Sequence, residues 1–283
     1  MTTPPAAMTP ARRSSRTALV AVVLSFAAGA TDAFAFLQLS GVFTANMTGN
    51  LVLSGLVDRP GYGSTIAGII TAIVVFAATL FLALRFMPSD SPTERTVILL
   101  VFAAIAQAAI FGMWAVHPGA ASTVAVVALI ALSSIAMACQ TAVAKRIDGA
   151  SGVTTTYVTG TITSLMTDAA DRRPQPVGIR LAVIAALVLG ALSGAVLMRA
   201  DTLYGAALPI LPAIGAAVLT ATTITPGGSS ARPGSEHLPA GAPNEAARDE
   251  SAPPLSAPDP PPRKPIPRRP GRTSPQPSEA GLK

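Results

Sequence analysis

The residues best suited to chemistry lie in one stretch of an otherwise apolar chain, between Gly29 and Asn50. Asp32 is a carboxylate inside an apolar run, and a polar Thr48-Gly49-Asn50 follows it. A charge at the centre of a bilayer costs about 2.5–3.5 kcal/mol on insertion scales, so we expect Asp32 to face the protein interior. There it could hold a proton or a cation. The structural alternative is that Asp32 caps the interrupted segment, or pairs with Asn46 or Asn50.

A second polar stretch lies around Thr159-Gly160-Thr161. Hydroxyls, amides and unwound backbone from both stretches could bind a small solute or an ion inside the membrane. The alternative is that these groups satisfy backbone freed where glycine breaks the helix, or join neighbouring helices. The predicted substrate- or ion-binding residues are Asp32, Asn46, Thr48, Gly49, Asn50, Thr156, Thr159, Gly160 and Thr161.

The composition indicates that lipid is the main solvent of this chain. Of its 283 residues 50% are hydrophobic and only 12% are charged, with a mean hydropathy of +0.53. A soluble domain has about 25% charged residues. The net charge is +6, but the basic residues lie almost entirely outside the apolar runs. They therefore indicate membrane orientation, and we expect no nucleic-acid partner.

The apolar runs predict an all-α membrane protein with about six transmembrane helices, each near the roughly 20 residues that a span requires. Pro209 and Pro212 predict a kink in the last span. Two shorter runs, Val42–Val57 and Gly152–Met166, carry the Thr-Gly pairs and predict re-entrant or broken half-helices. The predicted spans are Ala18–Leu39, Ile66–Phe86, Val97–Val116, Ser122–Ala144, Ile179–Met198 and Leu203–Thr222.

The first span is open to a second interpretation, as a signal peptide. A basic segment precedes its apolar run, and Ala28-Gly29-Ala30 could be a cleavage site. We prefer an uncleaved span, because the run continues to Leu39 and is long enough to cross the bilayer.

The basic residues favour six spans over eight. With six, only Arg59, Arg199 and a short turn containing His117 lie on one side, and the positive-inside rule then puts both termini in the bacterial cytoplasm. The other side of the membrane receives Arg12, Arg13, Arg16, Arg85, Arg95, Lys145, Arg146, Arg172, Arg173, Arg180 and the basic tail.

Asp168 and Asp171 lie beside two arginines, and this run of charges indicates a solvated loop.

The chain divides into a disordered segment 1–17, a transmembrane domain 18–222, and a Pro-rich tail 223–283 whose composition predicts disorder. Within the domain, Thr159-Gly160 follows Thr48-Gly49 at a distance of 111 residues, and the order of elements recurs. We therefore predict two repeats, 18–116 and 122–222. Since each would have three spans, the second would be inverted relative to the first. A chance match is the alternative.

Other side chains within the spans predict packing roles. Gln107 and Gln140 suit hydrogen bonds between helices, and Gly190 with Gly194 suits close helix contact. Trp114, near the end of a span, suits an anchor at the membrane interface.

The motif in the first stretch resembles that of a known family. Gly29-Ala30-Thr31-Asp32-Ala33 is followed by Thr44 and by Thr48-Gly49-Asn50. This combination resembles the YoaK-type family of bacterial multi-pass membrane proteins, a domain of unknown function, over about residues 15–222. The resemblance implies a polytopic inner-membrane protein and supplies no substrate or catalytic residue. The long Pro-rich tail departs from a compact family member.

Two functions remain after these considerations. The repeat, the interrupted segments and Asp32 favour a secondary transporter or permease for a small solute. The alternative is a non-transporting scaffold or regulator that acts through its basic, Pro-rich tail. The sequence contains no His-Glu-x-x-His, Gly-x-Ser-x-Gly or Walker-type motif, so we expect no enzyme, cofactor or metal site. The expected partners are the lipid bilayer and a small molecule or ion.

Overall fold

A computed structural model describes residues 10–88, 93–119, 122–148 and 158–222. This described part is helical and contains no β-strand. Residues 1–9, Thr156 and the tail 223–283 lie outside it. The helices are α1 Pro10–Gln38, α2 Met47–Ser54, α3 Tyr62–Phe86, α4 Thr93–Val116, α5 Thr123–Asp148, α6 Val158–Ala170, α7 Val177–Ala200, α8 Thr202–Ala207 and α9 Ile210–Ala221.

Six helical stretches of the described chain are long and apolar enough to cross a membrane. They belong to α1, α3, α4, α5 and α7, with α8 and α9 together as the sixth. Helices α2 and α6 have only 8 and 13 residues, too few for the roughly 20 of a span. The predicted six spans are therefore confirmed by length and composition. The predicted kink is also found, because α8 ends at Ala207 and α9 begins at Ile210.

Two packed clusters fix the direction of the helices. The first joins the beginnings of α1 and α4 to the ends of α3, α5 and α9, for example Leu24 and Leu100 with Val143. The second joins the ends of α1, α4 and α7 to the beginnings of α3 and α5, for example Phe34 with Ile130. Successive spans therefore alternate in direction. We call the first end the basic end, because Arg16, Arg85, Arg95, Lys145 and Arg146 lie there, and the other the opposite end.

The helices pack most extensively as α1 with α7 and α3 with α5, and α4 lies against α5 and α9. The α1–α7 contact depends on glycine: a Cβ at Gly29 would meet the carbonyl oxygen of Leu187, and one at Gly190 would meet that of Phe26, both closer than 3.0 Å. A Cβ at Gly194 would lie 3.5 Å from the carbonyl oxygen of Ala30 on α1, which is ordinary van der Waals contact. The predicted close contact at Gly190 and Gly194 is confirmed.

Trp114 is not an interface anchor, so that prediction is wrong. Only 1% of it is exposed. Its ring meets Phe34 edge-on at 5.1 Å, and its indole Nε1 donates to Thr202 Oγ1 at 3.0 Å. Helix α8 packs against α4 and so supplies inside the protein the polar partner that the interface would otherwise provide.

Gln107 makes the predicted bond between helices, but the prediction is wrong for Gln140, whose amide has no hydrogen-bond partner among the described residues. The Nε2 of Gln107 on α4 donates to Thr31 Oγ1 on α1 at 2.9 Å, in a buried position. The Thr31 hydroxyl in turn donates to the carbonyl oxygen of Ala27.

Candidate functional site

The chain reverses after α1 through a turn that α3 holds in place. Ser40 and Gly41 have positive φ values of 61° and 70°, a region that favours glycine. Thr65 Oγ1 donates to the carbonyl oxygen of Ser40 at 2.9 Å, and Arg59 Nη2 donates to Thr65 Oγ1 at 3.0 Å. Arg59 also covers Gly41, where a Cβ would lie 3.0 Å from its Nη2. The break in the chain at Ser40-Gly41 is therefore anchored by Thr65 and Arg59.

Asp32 organises the segment that follows. Its Oδ1 accepts hydrogen bonds from the backbone N–H of Thr44 at 2.7 Å, from Thr44 Oγ1 at 2.9 Å and from the N–H of Ala45 at 3.2 Å. Asp32 therefore caps the interrupted segment, which was one of the structural alternatives. It does not pair with Asn46 or Asn50, because the amides of both asparagines bond elsewhere. No described residue donates to Oδ2, and Asp32 is partly exposed. One oxygen is committed to the loop, and the other can take a proton or a cation.

The two asparagines begin α2 and tie it to the loop. Asn46 is the N-cap, and its Oδ1 accepts from the N–H of Gly49 at 3.0 Å. Asn50 is fully buried. Its Oδ1 accepts from the N–H of Phe43 at 2.9 Å, and its Nδ2 donates to the carbonyl oxygen of Phe43 at 2.7 Å. A Cβ at Gly49 would lie 2.9 Å from Asn46 Nδ2, so glycine permits this compact start.

The remainder of α2 turns outward. Leu51 and Val52 are each 63% exposed, and apolar side chains exposed on a membrane protein face lipid. Thr48 is also exposed, on the outer surface of a helix that rests mainly on α3. The structure thus brings together Asp32, Asn46, Gly49 and Asn50 around one loop, with Thr48 at its edge.

The second Thr-Gly element lies elsewhere. Thr159 is exposed, Gly160 is partly buried, and Thr161 is 3% exposed. Their helix α6 rests mainly on α7. Because α2 follows the opposite end of α1 and α6 follows the basic end of α5, the two Thr-Gly pairs lie at different ends of the bundle. They do not line one cavity in the described structure, and Thr156 lies outside it.

Sequence reasoning missed a partly buried ion pair that ties α6 to α7. Arg180 is 6% exposed, and its Nη1 donates to Asp168 Oδ2 and to Gln175 Oε1, each at 2.8 Å. The prediction of a solvated loop is therefore wrong for Asp168. It holds for Asp171, whose pair with Arg173 is exposed. A charge pattern along one segment cannot reveal a partner on the next helix.

The described residues contain no group of three His, Cys, Asp or Glu side chains placed to hold a metal ion. Two of the open clefts in the described chain are lined by α3 and α5, and the first also by α4. One of about 320 Å³ is apolar and includes Leu82 and Cys139. The other, of about 410 Å³, lies at the basic end and includes Arg85 and Arg146. Neither of these two clefts is lined by Asp32 or by a Thr-Gly pair.

Six apolar helices of alternating direction, with a polar loop held by an intramembrane carboxylate, define a helical multi-pass membrane protein. Residues 20–222 match the family described as "Protein of unknown function (DUF1275)", and the chain belongs to that family. It is similar to the "UPF0700 transmembrane protein YoaK" of Bacillus subtilis (strain 168), with 34% identity over 150 residues. That match covers 53% of this chain and 66% of the relative, just under two thirds of the relative's length. The YoaK-type resemblance is thereby confirmed. No solved structure matches the chain.

Proposed function

We propose that this protein is a secondary transporter or permease for a small solute, not an enzyme, in the bacterial inner membrane with both termini in the cytoplasm. The observation that carries the proposal is the position of the two interrupted segments. One follows α1 at the opposite end, the other follows α5 at the basic end, and neither adds a span. Transporters built from inverted repeats have this arrangement, in which two halves open a shared route to either side in turn.

The pairing of the helices supports an inverted repeat. In an inverted repeat, α1, α3 and α4 of the first half would correspond to α5, α7 and α9 of the second. The contact of α1 with α7 would then have its counterpart in the contact of α5 with α3, and the contact of α4 with α5 in that of α9 with α1. All four pairs occur in the bundle. The α4–α9 and α1–α5 pairs exchange with themselves, and α2–α3 becomes α6–α7; these occur as well. Such a set of counterparts is what a half-turn relating the two halves would produce.

Single positions support the same correspondence. Asn50 and Thr161 lie 111 residues apart, and both are buried; Leu51 and Ile162 follow them, and both are exposed. The sequence also repeats Ser40-Gly41-Val42 as 151–153 at the same distance. These matches extend the similarity beyond the Thr-Gly pairs, which are common in any sequence.

Asp32 is the residue we assign to a coupling proton or cation. Its Oδ2 has no donor among the described residues, and Asp32 lies on the half of α1 nearer the opposite end. With the basic end in the cytoplasm, as the positive-inside rule requires, that half of α1 is nearer the outside. A proton or cation entering from outside would meet Asp32 before the middle of the bundle.

Uptake by the purified protein in lipid vesicles tests the proposal. Labelled sugars, amino acids, polyols and organic acids are offered with and without an inward proton gradient. We expect uptake of at least one class, abolished by Asp32→Asn, because asparagine keeps an oxygen for Thr44 but loses the charge. Asp58→Asn is the control, since Asp58 is an exposed carboxylate. Equal uptake by both variants would refute the role of Asp32, and no uptake of any class would refute the permease.

A truncation after Thr225 separates the permease from the scaffold. It removes the Pro-rich tail and leaves every described helix. A permease keeps its uptake without the tail. If the cellular phenotype is lost while the truncated protein remains folded, the scaffold alternative gains support instead. Thr48→Ala, on the exposed side of α2, tests whether the Thr-Gly pair contacts solute.

A further inference from the structure

Four polar side chains are buried in the bundle without a hydrogen-bond partner among the described residues. All are 3% exposed or less. Gln107, on α4, shows by contrast how such a group is normally satisfied, since it bonds across to α1. The four residues are Ser25 of α1, and Ser133, Ser134 and Gln140 of α5.

Gln140 carries most of this argument. A serine hydroxyl can rotate to bond a carbonyl of its own helix, so an isolated serine needs little explanation. A glutamine amide offers two donors and an acceptor, and its own helix cannot match them all. Neither Nε2 nor Oε1 of Gln140 has a hydrogen-bond partner in the described part of the chain. Because buried polar groups in lipid are satisfied internally or face a water-filled cavity, Gln140 indicates a site for water or a polar solute.

The four residues surround one apolar layer. Ala28 of α1, Phe76 of α3, and Met137 and Ala138 of α5 form a packed group that we call the central cluster. Because α1 and α5 run in opposite directions, Ser25 and Gln140 each lie about one helical turn from it toward the basic end. Ser133 and Ser134 lie about one turn from it toward the opposite end. Polar groups therefore flank the cluster on both sides.

We propose that a narrow hydrated passage for small uncharged solutes follows α1, α3 and α5, with the central cluster as its constriction. This inference rests on the permease function and supplies its route and solute class. None of the four flanking side chains is charged, and together they offer donors and acceptors, which suits hydroxyl- or amide-bearing molecules. Apolar constrictions between hydrated regions are a known means of gating. The Thr-Gly elements then shape the halves and do not line the route.

Thiol labelling tests the passage without any knowledge of the solute. In a Cys139→Ala background, Ser25→Cys and Gln140→Cys are placed in lipid vesicles and treated with methyl methanethiosulfonate, a small uncharged reagent. The cysteine thiolate, which forms only where water reaches, attacks the divalent sulfur of the reagent, forms a mixed disulfide and releases methanesulfinate. Ala103→Cys is the control, because Ala103 is 0% exposed within the apolar cluster of α4 and α5. Mass spectrometry follows the rate of modification.

We expect Ser25→Cys and Gln140→Cys to react at least about tenfold faster than Ala103→Cys. Equal rates would overturn the passage. Ser25→Cys changes only a hydroxyl into a thiol, so it carries the test if Gln140→Cys does not fold. Labelled passage residues in a protein that transports nothing would refute the permease and keep the passage. Transport by a protein whose Ser25→Cys and Gln140→Cys variants stay unlabelled would overturn the passage and keep the permease.

Swelling of the same vesicles tests the solute class. Glycerol and urea are the neutral probes, and potassium phosphate is the charged one. We expect glycerol or urea to enter faster than into empty vesicles, and Gln140→Leu to slow that entry. Faster entry of potassium phosphate would overturn the assignment to uncharged solutes, and neutral entry unaffected by Gln140→Leu would overturn the placement of the passage at Gln140.

Discussion

The contact between α1 and α7 makes the sharpest prediction about stability. Gly29→Ala adds a methyl group that would meet the carbonyl oxygen of Leu187 closer than 3.0 Å, with Ala191 N at 2.9 Å. Gly190→Ala creates the equivalent clash with the carbonyl oxygen of Phe26. All three obstacles are backbone atoms of a helix, which cannot rotate away as a side chain can. The helices must separate by on the order of 1 Å, and contacts along their whole length weaken.

The magnitude follows from two opposing effects. Forcing an extra carbon into a packed contact costs about 1–3 kcal/mol. Replacing glycine by alanine within a helix, without a clash, stabilises by roughly 0.5–1 kcal/mol. Gly112→Ala and Gly215→Ala are therefore matched controls, because no atom lies within 4 Å of a Cβ at either position. We expect Gly29→Ala and Gly190→Ala each to be destabilised and both controls to be neutral or stabilised.

Cys139 provides the assay. It is 1% exposed and so reacts with a fluorogenic maleimide only when the bundle opens. A change of 1 kcal/mol shifts the unfolding midpoint by about 2–4 °C in a protein of this size. We expect a midpoint at least about 2 °C lower for each clashing variant. The double variant should fall by less than the sum, because both changes act on one contact. Clashing and control variants with the same midpoint would refute the α1–α7 packing.

The same assay tests four further contacts. Asn50→Leu keeps the volume but leaves a backbone N–H and C=O unpaired, and should cost about 2 kcal/mol; Asn46→Ala, at an exposed cap, should cost about 1 kcal/mol. Gln107→Leu and Thr31→Val should each cost about 1 kcal/mol, and additive effects in the double variant would argue against their bond. Arg180→Gln should cost about 1.5–3 kcal/mol, since it removes the charged partner of the partly buried Asp168 carboxylate; an unchanged midpoint would contradict that contact.

The spans were predictable because lipid imposes their length. The predicted span Val97–Val116 ends at the same residue as helix α4, Thr93–Val116. The predicted span Ile66–Phe86 likewise ends at the same residue as helix α3, Tyr62–Phe86. Apolar runs end where the chain leaves the bilayer, so composition alone locates these ends. Proline chemistry likewise located the α8–α9 break, since the ring of proline cannot sit inside an undisturbed helix.

Contacts between distant segments were not predictable in the same way. The sequence made Asp32 conspicuous, but its role depends on how the loop after Ser40 curves back over α1. Gly29 belongs to the family motif, but nothing in the sequence indicates that α7 packs against it. Trp114 lies near the end of a span, as interface anchors do, but α8 covers it in the folded protein. Each outcome depends on three-dimensional packing, which hydropathy and spacing in one chain do not encode.

The orientation of the two Thr-Gly elements tests the inverted halves most directly. Thr48→Cys and Thr159→Cys, both at exposed positions, are made separately in a Cys139→Ala background and treated in intact cells with a membrane-impermeant maleimide. With the basic end in the cytoplasm, Thr48→Cys is labelled in intact cells and Thr159→Cys only after lysis. Labelling of both from the same side would contradict the inverted arrangement on which the permease proposal depends.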